Sequence, residues 1–147
     1  MMDPSTEFDL RDFLPYLLNL AAEEASLGFQ VHYKEKYGML RTEWRILFHL
    51  GRYGDMTAKE ICARARLHKT KVSRAVAKLE ERRFIVREEI ESDRRHAMLR
   101  LTKHGSDAYK DLYNAALTFD KGLVSQFTPA EELVLRRCLG RLASFSD

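Results

Sequence analysis

A mainly α-helical fold with one small β-hairpin is predicted by three features of this chain. Apolar residues recur at helical spacing over most of its 147 residues. Two capping boxes, Thr57-Ala58-Lys59-Glu60 and Thr128-Pro129-Ala130-Glu131, mark helix starts, each with a hydroxyl at the N-cap and a carboxylate three residues on. Between them a basic helix is followed by two short strands joined by a charged tip, Glu91-Ser92-Asp93-Arg94-Arg95. A short helix, a basic helix and a cationic hairpin, in that order from Ala58 to Thr102, are the parts of a winged helix-turn-helix.

The elements follow in chain order. Leu10, Phe13, Leu14, Leu17, Leu18 and Ala21 set a first helix that starts after Asp9 as N-cap, tolerates Pro15 near its first turn and ends at Tyr37-Gly38. Thr42 is the expected cap of a second helix, with Trp44, Leu47, Phe48 and Leu50 inside and its end between Gly51 and Gly54. The Thr57 box opens a short helix that faces the core with Ile61 and Ala65, and Ala65 to His68 form the turn.

The next helix, Lys69 to about Arg82, has Val72, Ala75, Val76 and Leu79 on one side. At about 100° per residue the opposite side carries Thr70, Ser73, Arg74, Ala77 and Lys78, with Lys71 at its edge. Small residues let a helix backbone approach base edges, while Arg and Lys reach guanine or phosphate. Lys69, Thr70, Lys71, Ser73, Arg74 and Lys78 are therefore candidate DNA contacts. Strands are expected at Ile85–Ile90 and His96–Leu101, the second alternating Ala97, Leu99 and Leu101 against His96, Met98 and Arg100. A long helix from Thr102 to Phe127 and a last one after Thr128, striped by Leu135, Cys138, Leu139, Leu142 and Phe145, complete the chain.

Charge sharpens this reading. Thr57 to Lys103 holds fourteen Lys/Arg against seven Asp/Glu, a net of +7, while the remainder holds 11 against 15, a net of −4. A basic middle inside an acidic frame points to an anionic partner met by one face. The nearby helix offers few i,i+4 carboxylates to cancel Lys71, Arg74 and Lys78. An enzyme is disfavoured by the absence of a Gly-rich phosphate loop, a Gly-x-Ser-x-Gly elbow and metal-ligand spacing. The five histidines form no His-x-x-x-His pair, so no metal and no cofactor are expected. Cys62 and Cys138 read as small apolar fillers of helical cores in a reducing cytoplasm. No apolar run approaches the roughly 20 residues of a membrane span, and the N-terminus lacks a secretory pattern.

Asp93-Arg94-Arg95 followed by Leu99-Arg100-Leu101-Thr102-Lys103-His104-Gly105 resembles the wing motif of the MarR family of bacterial winged-helix regulators. Lys71-Val72-Ser73-Arg74-Ala75-Val76-Ala77-Lys78-Leu79-Glu80 is similar to its recognition helix. The resemblance covers nearly the whole chain and implies one domain over residues 1–147. Dimerisation helices (about 9–36 and 103–145) would flank a winged helix-turn-helix (about 42–102).

It also implies a homodimer reading a near-palindrome in double-stranded DNA as a repressor. Arg95 would enter the minor groove, held by a bidentate pair with Asp93, and Arg94 would contact phosphate. Arg83 departs from the pattern, standing where the family usually has glycine after this helix. The family's habit of binding small aromatic or phenolic effectors implies a ligand pocket here, bounded by Phe29, Tyr33, Trp44, Phe48, Tyr109 and Tyr113 with Arg41 or Arg45 as carboxylate anchor. From the residues alone a second reading stays open, a winged-helix module that joins proteins without reading DNA. Exposed apolar residues in place of Lys71, Arg74 and Lys78 would mark it.

Overall fold

The computed structural model describes residues 7–90 and 93–145; within the strand that starts at Asp93, side chains are described from Ala97 onward. It contains six α-helices and three short strands among these residues. The helices are α1 (Leu14–Tyr37), α2 (Arg41–Tyr53), α3 (Ala58–Ala65), α4 (Lys69–Glu81), α5 (Lys103–Val124) and α6 (Pro129–Leu142). The strands β1 (Met56–Thr57), β2 (Ile85–Ile90) and β3 (Asp93–Leu101) form an antiparallel sheet in the order β1-β3-β2. The chain forms two compact units, Met1–Tyr113 and Asn114–Asp147.

The first unit is built on the buried faces of α2, α3 and α4. Ile46, Leu47, Ile61, Val72, Val76 and Leu79 are essentially inaccessible, and the sheet contributes Ile85 and Leu99. Burying each such side chain is worth about 1.5–3 kcal/mol. β1 was not foreseen, because two residues carry no periodicity. It exists because Met56 pairs opposite Leu99 and buries its side chain. Arg100 then staples the sheet from its outer face, donating to Asp55 and to Glu88 at 3.0 Å each. These contacts hold its guanidinium above its ordinary pKa, chiefly through the hydrogen bond to Asp55.

Several expected boundaries are corrected. Asp9 does cap, but it caps a 3₁₀ turn (Leu10–Asp12) by accepting from the Arg11 amide. α1 begins only at Leu14, with Pro15 in its first turn, where a missing N–H costs nothing. Thr42 lies inside α2 rather than capping it: the helix starts at Arg41, and the Glu43 carboxylate accepts from the Leu40 amide at 3.0 Å. β3 starts at Asp93 rather than His96, so Asp93, Arg94 and Arg95 belong to strand backbone. The register pairs Ile90 with Asp93, with an irregularity between Glu89 and Ile90. Glu91 and Ser92 of the expected tip lie outside the described residues.

The ends of α5 and α6 complete the comparison. Thr102 caps α5 through Oγ1, which accepts from the Gly105 amide at 3.0 Å. Gly105 is obligatory there, because a Cβ would run into the Phe84 carbonyl. α5 stops at Val124, short of the expected Phe127, and α6 opens on the complete Thr128–Glu131 capping box. The apolar stripe of α6 is open: Leu139, Leu142 and Phe145 are exposed. Cys138 is exposed as well, so it does not fill a core within the chain, whereas Cys62 is half-buried. No helix among the described residues is long and apolar enough to cross a membrane.

Candidate nucleic-acid interface

The face of α4 turned away from the core is the one the sequence singles out. Val72, Ala75, Val76 and Leu79 are buried, while Lys69, Thr70, Lys71, Ser73, Arg74, Ala77 and Lys78 are all exposed. Among the described residues, none of Lys69, Lys71, Arg74 or Lys78 takes part in an ion pair within 4.0 Å. Their field is therefore not cancelled at short range. The helix face is cationic, but its Thr70, Ser73 and Ala77 positions are short. Such a surface can lie close to a polyanion.

The edge of this face borders a groove of about 540 Å³. Lys71, Arg74, Ala75, Lys78 and Arg82 line one wall, and Gly38, Leu40, Thr42 and Glu43 line the other. Glu43 is buried to 3% exposure. Its Oε2 serves the Leu40 amide, while Oε1 has no hydrogen-bond partner among the described residues. Arg82 differs from the other cations of this wall, because its Nη1 donates to the carbonyls of Tyr37 at 3.0 Å and Gly38 at 2.6 Å. Sequence reasoning passed over both Glu43 and Arg82. The Glu43 signal was present, a carboxylate three residues after a helix boundary, but it was overshadowed by the hydroxyl of Thr42.

α4 ends in a Schellman arrangement. The Phe84 amide donates to the Leu79 carbonyl at 2.9 Å and the Arg83 amide to Glu80 at 3.0 Å. Arg83 sits at φ +63, the left-handed region expected at the position where the resemblance has glycine. For the wing, β2 and β3 supply a paired base, and the side chains of Asp93, Arg94 and Arg95 lie outside the described ones.

The expected ligand residues fall into one aromatic chain and two outliers. Tyr33 is buried, Trp44 and Phe48 are half-buried, and Tyr113 is exposed rather than part of the core. Ring centroids are 5.5 Å apart for Tyr33–Trp44, 5.1 Å for Trp44–Phe48, 5.2 Å for Phe48–Tyr109 and 5.9 Å for Tyr109–Tyr113. Phe29 joins at 5.4 Å from Trp44. Phe29 and Tyr109 belong to the same cluster as the other four rings. Trp44 Nε1 is buried with no hydrogen-bond partner among the described residues, an uncommon state for an indole donor. Arg41 and Arg45, on the same helix, are exposed.

A MarR family profile matches residues 37–96, from the end of α1 to the wing. The HTH-type transcriptional regulator YwoH of Bacillus subtilis is 30% identical over 93 residues, which cover 63% of this chain and 67% of that protein. The chain belongs to the MarR family. Among solved structures, a MarR/EmrR family transcriptional regulator from Acinetobacter sp. ADP1 is similar to this MarR-family chain with a TM-score of 0.81 and 29% identity. The match covers 93% of this chain and 96% of that one. BpsR of Bordetella bronchiseptica, whose DNA binding is regulated by 6-hydroxynicotinic acid, shares the fold at a TM-score of 0.82 and 17% identity, over 96% of this chain and 99% of its own. The mainly helical architecture with a small antiparallel wing is that of the MarR family, whose members are transcriptional regulators rather than enzymes. This MarR protein is a transcriptional regulator.

Proposed function

We propose that the chain binds double-stranded DNA in a sequence-specific manner as a homodimer and represses transcription until a small aromatic effector releases it. The observation that carries the reading is the exposed face of α4, where Lys69, Lys71, Arg74 and Lys78 surround Thr70 and Ser73 with no ion-pair partner within 4.0 Å among the described residues. No large apolar residue shares that face, which favours DNA over a protein-joining role. Lys71, Ser73 and Arg74 read the major groove and Lys78 meets phosphate. Arg94 and Arg95, ordered by Asp93, reach the backbone and minor groove.

Homodimerisation is supported by apolar rows left uncovered in the single chain. Leu14, Leu17, Leu27 and Val31 are exposed along α1, as are Leu133, Leu139, Leu142 and Phe145 on or just beyond α6. Large exposed apolar patches are the usual mark of an interface. A second copy covers them, and residues 1–147 act as one domain with two recognition helices about 34–36 Å apart.

The effector reading rests on Trp44, whose buried donor lacks a partner among the described residues in an otherwise aromatic cluster, with Arg41 and Arg45 exposed on the same helix. An aromatic carboxylate would offer a ring to Tyr33, Phe48 and Tyr113 and an anion to an arginine. The effector of BpsR, 6-hydroxynicotinic acid, is of that class. Such a ligand acts only through its different affinity for two spacings of the recognition helices.

The test is fluorescence anisotropy with a labelled duplex from immediately upstream of the protein's own gene. Binding should saturate, exceed that of a scrambled duplex and weaken steeply with salt. Equal affinity for both duplexes at all salt concentrations would refute the reading.

A further inference from the structure

Lys71, Ala75, Lys78 and Arg82 lie on one ridge of the recognition helix and its C-cap, at successive spacings of four, three and four. By position Arg82 extends the cationic row. Its side chain is nonetheless committed elsewhere: Nη1 donates to both the Tyr37 and Gly38 carbonyls at the end of α1. Those carbonyls belong to the group that a helix C-terminus leaves without intrahelical partners, and a cation there also meets the negative end of the helix dipole. Gly38 permits the approach in two ways. It adopts φ +65, and a Cβ would collide with the Arg82 guanidinium.

The last turn of α1 is also held by α5. Tyr37 Oη donates to Asp111 at 2.5 Å, and Lys36 Nζ lies 2.7 Å from the same carboxylate. Just beyond Arg82, Phe84 meets the Tyr37 ring edge-on at 6.3 Å and stacks on His104 at 4.4 Å. The end of α1 therefore joins the recognition helix to α5, and Arg82 is the polar tie on the recognition-helix side.

We propose that Arg82 is a positioning residue for DNA reading: it fixes the recognition helix against the end of α1 without touching DNA. The inference rests on the DNA-binding reading above. Loss of the tie lets α4 tilt about its buried face, which misaligns side chains that must meet particular base edges. Contacts to phosphate tolerate such a tilt, because they depend on charge rather than register.

The experiment begins with a duplex enriched from a random pool by the wild-type chain, paired with a scrambled duplex of the same length. Affinities are measured from low to moderate salt for wild type, Arg82→Ala and Arg82→Lys, with circular dichroism showing each folded at the assay temperature. Arg82→Ala should lose about tenfold on the enriched duplex, the scale of one misread base pair, while keeping its affinity for the scrambled one and its salt slope. Arg82→Lys, which keeps a donor and the charge, should recover most of the loss.

A parallel loss on both duplexes with a shallower salt slope would make Arg82 a phosphate contact and overturn the proposal. Unchanged preference in Arg82→Ala would overturn it too. If the wild-type chain enriches no duplex at all, the DNA-binding reading itself falls, an outcome separable from the other two.

Discussion

The hydroxyl of Tyr37 donates to the Asp111 carboxylate at 2.5 Å, tying the last turn of α1 to the middle of α5 across 74 positions of sequence. Lys36 shares the same carboxylate, and its hydrogen bond, followed by that of Tyr37, holds Asp111 below the ordinary carboxylate range. Burial, then the bond to Asp111, pushes Tyr37 up to about 12.

The two shifts define a window of stability. A depressed Asp111 contributes above the unfolded carboxylate pKa, near 4, and that contribution is lost as pH falls through its lower folded value. A raised Tyr37 contributes fully below its unfolded pKa, near 10, and that contribution is lost as pH climbs toward 12. Tyr37→Phe should therefore cost about 1 kcal/mol at neutral pH, a modest figure because the pair is only partly buried. It should also flatten the alkaline limb of stability between pH 10 and 12. Urea unfolding across pH measures both. An unaltered alkaline limb would contradict the assignment.

Arg83 gives a prediction of opposite sign. Its φ of +63 places a β-carbon in a conformation that glycine adopts freely, while the Schellman hydrogen bonds around it use only backbone atoms. Arg83→Gly should raise stability by about 1 kcal/mol, since the strain removed exceeds the entropy gained by the unfolded chain. A fall in the thermal midpoint would show that the arginine side chain contributes something the backbone geometry does not reveal.

What the sequence made legible follows from how local each signal is. The buried and exposed faces of α4 were readable because Val72, Ala75, Val76 and Leu79 recur at helical period. The Thr128 capping box was readable because both hydrogen bonds span three residues. β1 was not, since Met56 and Thr57 become a strand only by meeting Leu99 and Met98 more than 40 positions away. Thr42 misled because a hydroxyl near a helix start usually caps, whereas here Glu43 took that role. The contacts of Arg82 and Tyr37 were hidden for the same reason as β1: nothing near either residue in the chain names its partner. In the ligand cluster, the aromatic types were legible but their separation into buried Tyr33 and exposed Tyr113 was not.

The cationic row divides into residues with distinct expected signatures. Arg74→Ala and Arg95→Ala should each weaken binding to an enriched duplex while leaving the oligomeric state unchanged. If about 6–10 phosphates are contacted, wild-type affinity should fall by roughly 10³–10⁵ between 50 and 200 mM salt. Lys78→Ala, assigned to phosphate, should weaken enriched and scrambled duplexes alike and reduce the salt slope by about one. Arg74→Ala should instead lower the preference between them. Gel-shift affinities equal to wild type for both arginine variants would remove α4 and the wing from the interface.

Trp44 is the chain's sole tryptophan, so intrinsic fluorescence reports directly on the aromatic cluster. Its ring stands 5.1 Å from Phe48 and 5.5 Å from Tyr33, and its buried Nε1 has no hydrogen-bond partner among the described residues. An unmatched buried donor costs about 1–3 kcal/mol, a penalty that a ligand oxygen would relieve. Titration with 6-hydroxynicotinate, benzoate or salicylate should therefore change the emission along a saturable curve and release an enriched duplex over the same concentration range. In Trp44→Phe the donor is gone but the ring remains, so the release should need at least about tenfold more ligand, the cost of one buried hydrogen bond to a charged group. Arg41→Ala and Arg45→Ala distinguish the anchor, since only one of these exposed guanidinia need meet the carboxylate. Emission that stays constant to millimolar ligand, with the duplex still bound, would exclude this cluster as the effector site while leaving the DNA interface untouched.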